Sequence, residues 1–190
     1  MKSLLRAAPL LIASIMFCAA GVAYGLTVPE LQRLLQAGVK PDARYEEVRE
    51  SPWLSSPVTT RGTLHVTPQG IEKRVETPRQ ETWRILDDRL EWIGPGDTGR
   101  KQILFSQAPA LKTLADVTRR AVAGDIVALE RDFTIVLRGT ESVWSAQLQP
   151  RTPPVARQLE SVELQGTSGR LRVLIVSDRQ GERTTTRILP

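Results

Sequence analysis

An α+β fold is predicted: one curved antiparallel sheet of about ten strands, forming an incomplete barrel, with helices covering its concave face. Three observations carry this reading. Short runs with period-two alternation recur from residue 43 to residue 189, each bounded by Gly, Pro, Asp or Ser. Only two segments, near residues 28–38 and 106–124, repeat their apolar residues at helical spacing. A sheet of that many strands cannot stay flat, so it curls toward a half-barrel whose hollow side two helices cover without filling it solidly.

The first 25 residues read as an export leader, not as part of the fold. Lys2 and Arg6 form a basic start, Leu10–Cys18 an apolar run too short for a comfortable membrane span, and Ala23-Tyr24-Gly25 a small-x-small cleavage site. Cleavage is expected after Gly25, with Gly21 as the alternative, leaving a single domain over residues 26–190. Cys18 leaves with the leader, so the exported domain is expected to hold together by burial alone, without disulfides. The chain carries 26 Lys and Arg against 21 Asp and Glu. The basic residues are scattered along strands, which argues against a nucleic-acid partner.

The elements follow in order. Thr27-Val-Pro-Glu30 has the form of a capping box, and Val28, Leu31, Leu34 and Leu35 make one apolar helical face ending near Gly38. Strands are expected at Ala43–Glu50, Val58–Val66 and Ile71–Thr77, the last two joined by a turn at Pro68-Gln69-Gly70. A hairpin over Glu81–Leu86 and Arg89–Ile93 turns at Asp87-Asp88. The loop Gly94–Gly99 leads to a strand at Lys101–Phe105. Ser106 is the expected cap of the second helix, in which Leu111, Leu114, Val117, Ala121 and Val122 recur before Gly124 ends it. Further strands are expected near Asp132–Arg138, Val143–Leu148, Gln158–Leu164, Arg170–Ser177 and Arg183–Leu189, with Pro150–Pro154 as a break.

Little on this scaffold suggests covalent chemistry. His65 is the only histidine, which excludes a zinc site built on several His ligands, and no metal site is expected. There is no nucleophile elbow, P-loop, dinucleotide fingerprint or EF-hand loop, so neither catalytic residues nor a cofactor is predicted. Asp87, Asp88 and Asp178 lie where hairpin turns favour Asp, a better account of them than a hydrolase's carboxylate pair. The aromatics are more suggestive, since four tryptophans spread over a curled sheet suit the wall of an apolar pocket. Parity places Leu64, Val66, Val75, Trp83, Ile85, Trp92, Phe133 and Ile135 as candidate pocket lining. Leu111, Leu114 and Val117 become the apolar face of a helical lid above it.

Several short motifs, in order, resemble the LolA family, and more closely its related branches. They are Tyr45-x-Glu47-x-Arg49; Gly62-x-Leu64-x-Val66 followed by Pro68; Ile71-Glu-Lys-Arg74; Pro78-x-x-Glu81 leading to Asp87-Asp88-Arg-Leu90; Ala123-Gly-Asp125 before Phe133; and Gly181-Glu-Arg-Thr184. The resemblance implies an incomplete barrel closed by helices around a hydrophobic cavity for acyl chains. It also implies a periplasmic, monomeric carrier of a lipid, glycolipid or lipoprotein, moving cargo toward the outer membrane between membrane-bound donor and acceptor proteins. The alternative is a periplasmic sensor or interaction module on the same half-barrel. Two departures point away from lipoprotein carriage proper. Thr67 stands where the family's carriers place a lid-latching Arg, and His65 stands where an aromatic is expected.

Overall fold

Eleven strands form one antiparallel sheet in a computed structural model that describes residues 25–190. The strands are β1 (Asp42–Glu50), β2 (Val58–Thr67), β3 (Gly70–Thr77), β4 (Glu81–Leu86), β5 (Arg89–Ile93), β6 (Arg100–Leu104), β7 (Phe133–Gly139), β8 (Trp144–Pro150), β9 (Leu159–Thr167), β10 (Arg170–Asp178) and β11 (Arg183–Ile188). Their spatial order is β6-β5-β4-β3-β2-β1-β11-β10-β9-β8-β7. Two meanders therefore meet at the β1–β11 seam, where Tyr45 lies opposite Ile188 and Glu47 opposite Thr186. The sheet is curved and unclosed, as expected. The leader and its cleavage site up to Tyr24 lie outside the described residues.

Helix α1 (Val28–Gly38) starts where the capping box places it. The Glu30 carboxylate accepts from both the backbone N–H of Thr27 (2.9 Å) and its hydroxyl (2.7 Å). These two bonds also hold the Glu30 carboxyl below its ordinary pKa. Helix α2 (Pro109–Ala123) begins three residues later than Ser106. Residues 104–108 form a tight turn in which Gln107 N–H donates to the Leu104 carbonyl (3.0 Å), and Pro109, having no N–H to satisfy, takes the first helical position. Gly124 ends α2 in the left-handed conformation (φ 74°). The Pro150–Pro154 break contains a third helix, α3 (Pro153–Ala156), with Thr152 as its N-cap; its prolines read as breakers but occupy the first turn.

The concave face divides into two unlike halves. Over β7–β10, Phe133, Trp144, Ala146, Leu148, Val162, Leu164 and Leu174 pack solidly against Leu31 and Leu35 of α1 and against Val117 and Ala121 of α2. Trp144 lies over Gly166, where a Cβ would come within 2.1 Å of the indole, so only glycine leaves the ring room. Over β1–β3 the buried cluster is small: Tyr45, Leu64 and Ile71, with Val122 and Ile188 against it. That half is hollow.

Candidate functional site

Strand parity and one face of α2 build the hollow. Inward residues alternate along each strand: Val58, Thr60 and Leu64 on β2; Ile71, Lys73 and Val75 on β3; Trp83 and Ile85 on β4; Leu90 on β5. Leu174, Val176, Thr184 and Thr186 supply the wall across the β1–β11 seam, and Leu111, Leu114, Ala115 and Thr118 of α2 form the roof. Together they enclose a cavity of about 360 Å³, within the usual range of small-ligand sites.

Its floor carries charges that are already engaged. The Lys73 ammonium donates to Glu47 Oε1 (2.5 Å) and lies 5.0 Å from the centre of the Tyr45 ring. Glu47 Oε2 accepts from the Thr186 hydroxyl (2.9 Å). Glu81 accepts from two indoles, Trp83 Nε1 and Trp92 Nε1, each at 2.8 Å. Arg49 faces Glu182 across 3.3 Å. The Tyr45 hydroxyl is buried without a hydrogen-bond partner among the described residues. Burial, reinforced by the Glu47 carboxylate, raises its pKa, and the nearby Thr60 hydroxyl offsets part of the rise without reaching hydrogen-bond geometry. The surface thus offers apolar contact with internally neutralised polar points. That suits retention of a chain-like apolar ligand.

Of the sequence-predicted residues, Leu64, Val75, Trp83, Ile85, Leu111 and Leu114 meet at this cavity. Trp92, on β5 opposite Trp83, instead lines an adjoining shallow groove with Trp83, Leu90, Lys101 and Ile103. Phe133 and Ile135 belong to the solid half, because β7 is on the far side of the β1–β11 seam. Of the three lid candidates, Val117 is 2 % exposed and packed into the same core, whereas Leu114, on the roof, is 37 % exposed. Of the other tryptophans, Trp144 is core and Trp53 is 81 % exposed. Sequence reading missed Lys73, Glu47, Glu81 and Thr186. For Lys73, Glu47 and Glu81 the parity with Ile71, Val75, Tyr45 and Trp83 was visible, but a charged residue at an inward position is ordinarily assigned to solvent, and Thr186 shares its parity with Ile188 on β11.

Val66 lines a second cavity, of about 270 Å³, at one end of the half-barrel. The end of α1, the start of β1, the β9–β10 turn and the end of β11 surround it. Leu64, Val122 and Ile188 line both cavities and form the partition between them. His65 lines neither cavity, but its Nδ1 pairs with Oδ1 of Asp42, which lines the second. Thr67, at the family's latch position, closes the β2–β3 turn instead: its hydroxyl donates to the Gly70 carbonyl and accepts from the Gly70 N–H, both at 3.2 Å. Among the described residues no cluster of three or more His, Cys, Asp or Glu is placed to hold a metal ion, and no helix is long and apolar enough to cross a membrane.

Residues 21–189 match the family described as outer membrane lipoprotein carrier protein LolA-like. The chain belongs to that family. No curated protein matches the LolA-like chain by sequence. Among solved structures it is similar to a LolA superfamily protein from Nitrosomonas europaea, with 13 % identity, 87 % of this chain and 92 % of that chain covered, and a TM-score of 0.41. A DUF1329 family protein from Desulfovibrio piger gives 12 % identity, coverage of 85 % and 90 %, and a TM-score of 0.44. MucB, solved in complex with the periplasmic part of MucA, gives 12 % identity, coverage of 86 % and 56 %, and a TM-score of 0.41. With TM-scores this low, membership rests on the sequence match.

Proposed function

We propose that this LolA-like protein is a periplasmic carrier that takes an acyl chain of a lipid or lipid-linked product into the cavity beneath α2 and moves it toward the outer membrane. One observation supports this above the others. The sheet is packed solid on one side of its seam and left hollow on the other, and the hollow is walled by Leu64, Ile71, Val75, Ile85 and Leu90. A void costs stability unless something fills it. Each methylene that leaves water for such a site contributes about 0.8 kcal/mol, so capture needs no covalent step. Release then needs an acceptor of equal apolarity or a partner that lifts α2. Thr67 supplies no guanidinium to the roof; a different one, Arg119 of α2, pairs with Asp87 in the β4–β5 turn across 2.9 Å, and Leu111 and Leu114 add apolar closure, a reading that favours cargo other than lipoproteins.

Native mass spectrometry of the protein purified from its envelope tests the proposal. The expected result is a fraction carrying a lipid-sized adduct that organic extraction removes. After extraction, a fluorescent fatty acid should bind saturably and quench Trp83. Protein that never carries lipid and shows no saturable uptake would refute carriage.

A further inference from the structure

The second cavity is built as a mouth with a charged rim. Its floor is apolar, from Leu35, Leu171 and the partition residues Leu64, Val122 and Ile188. Its rim carries Lys40, Arg44, Arg170 and Arg172. The acidic group among them, Asp42, is engaged by His65, and Arg44 is shared with Glu76 at 3.4 Å. Lys40 and Arg170 are exposed and have no carboxylate partner among the described residues. Two backbone devices hold the rim together. Gly38 and Gly169 let α1 rest directly on the β9–β10 turn: a Cβ on Gly38 would lie 2.1 Å from the Gly169 carbonyl oxygen, and one on Gly169 2.5 Å from that of Leu34. A register shift between Leu171 and Val173 leaves Arg172 unpaired in the β9–β10 ladder, and its Nε–H donates to the Thr167 hydroxyl (3.3 Å) at the rim. Such bulges redirect a side chain away from the alternation of the strand.

Basic rim, apolar floor and apolar chamber thus follow one another, with Leu64, Val122 and Ile188 shared by the two cavities. We propose that this mouth seats the anionic head of a phosphate- or carboxylate-bearing amphiphile, whose chain passes the Leu64–Val122–Ile188 partition into the chamber under α2. The inference rests on the carrier reading and adds to it the head-group class and the direction of entry. Arg guanidinium groups offer forked donors for such a head, and Lys40 adds a point charge.

Matched ligands test it. Palmitoyl lysophosphatidic acid, palmitoyl lysophosphatidylcholine and monopalmitoylglycerol share one chain and differ in the head, and each is titrated by displacement of an apolar fluorescent probe. The anionic lipid is expected to bind about tenfold tighter than the other two. Replacement of Lys40, Arg170 and Arg172 by Gln should remove that preference while leaving monopalmitoylglycerol affinity unchanged, which shows that the variant is folded and its chamber intact. A second variant, Val122→Trp, should weaken all three lipids by obstructing the partition. Equal affinity for the three heads, or a preference that survives the triple replacement, overturns the head-group assignment while carriage stands. Displacement by inorganic phosphate alone would show a free-anion site and overturn it too. No displacement by any lipid would remove the carrier reading together with this one.

Discussion

Removing Glu47 from the cavity floor should cost more than removing Lys73, and removing both should cost least, leaving only the Thr186 hydroxyl without its acceptor. The pair is 2.5 Å apart with each side chain 19 % exposed. It lies between exposed pairs, worth about 0–1 kcal/mol, and fully buried ones, whose disruption costs about 3–5 kcal/mol. Glu47→Leu leaves the Lys73 ammonium with only the Tyr45 ring, 5.0 Å away, and removes the acceptor of the Thr186 hydroxyl. A loss of about 2–3 kcal/mol follows. Lys73→Met leaves the carboxylate its Thr186 donor at 2.9 Å, so its loss is smaller, about 1–2 kcal/mol. The double variant replaces both charges with apolar groups and should lie within about 1 kcal/mol of the parent. The coupling is then about 2 kcal/mol or more. Urea midpoints at constant m-value measure all four corners of the cycle. Additive single effects would show that the two charges are held independently and that the floor is not a neutralised pair. The double variant should also bind a fatty acid at least as tightly as the parent, because its floor becomes wholly apolar.

Further expectations concern the contrast between the two halves. Leu148→Ala, in the solid half, should cost about 2–5 kcal/mol by urea unfolding, whereas Leu111→Ala, already facing a void, should cost under about 1 kcal/mol and mainly weaken acyl-chain affinity. Leu114→Asp should leave the unfolding midpoint nearly unchanged, since the residue is 37 % exposed, yet lower fatty-acid affinity about tenfold or more by placing a carboxylate at the roof. Gly38→Ala should lower the melting temperature by several degrees, corresponding to about 1–3 kcal/mol, because its Cβ meets the Gly169 carbonyl at 2.1 Å. For Glu72, burial raises the pKa, but bonds from Arg84 (2.7 Å) and Arg74 (2.6 Å) outweigh it and hold the carboxyl below its ordinary 4.5. A depressed folded pKa contributes stability above the unfolded value and loses it as pH falls through the folded one. Glu72→Gln should therefore destabilise at pH 7 and become nearly silent below its folded pKa in a pH series of urea midpoints.

The strands were legible because alternation and turn residues reinforce one another: Val58–Thr67 and Gly70–Thr77 pair about a Pro-Gln-Gly turn, and the Thr27–Glu30 box starts α1 where its spacing placed it. The chamber was legible only in part. Periodicity identifies an inward face but not what lies opposite it, and Phe133 and Trp83 carry the same signal. Topology separates them: β7 and β4 fall on opposite sides of the β1–β11 seam, one under α1 and the anchored part of α2, the other under its roof. The inward charges were hidden for a different reason. Lys73 and Glu47 lie 26 residues apart and neutralise each other only once β1, β2 and β3 are side by side.

Helix α2 is held like a cantilever. Val117 and Ala121 are clamped in the solid core, and the Gly124 terminus fixes the far end, while Leu111 and Leu114 overhang the chamber. From Val117 back to Pro109 the overhang spans about 12 Å, so a tilt of about 10° at the clamp moves its tip by about 2 Å and widens the gap between the roof and β3 and β4. None of the solid core has to loosen for that. On the proposed carrier reading, cargo would be admitted or surrendered by a lever whose fulcrum is part of the folding unit, with the work of opening separated from the free energy that keeps the protein folded.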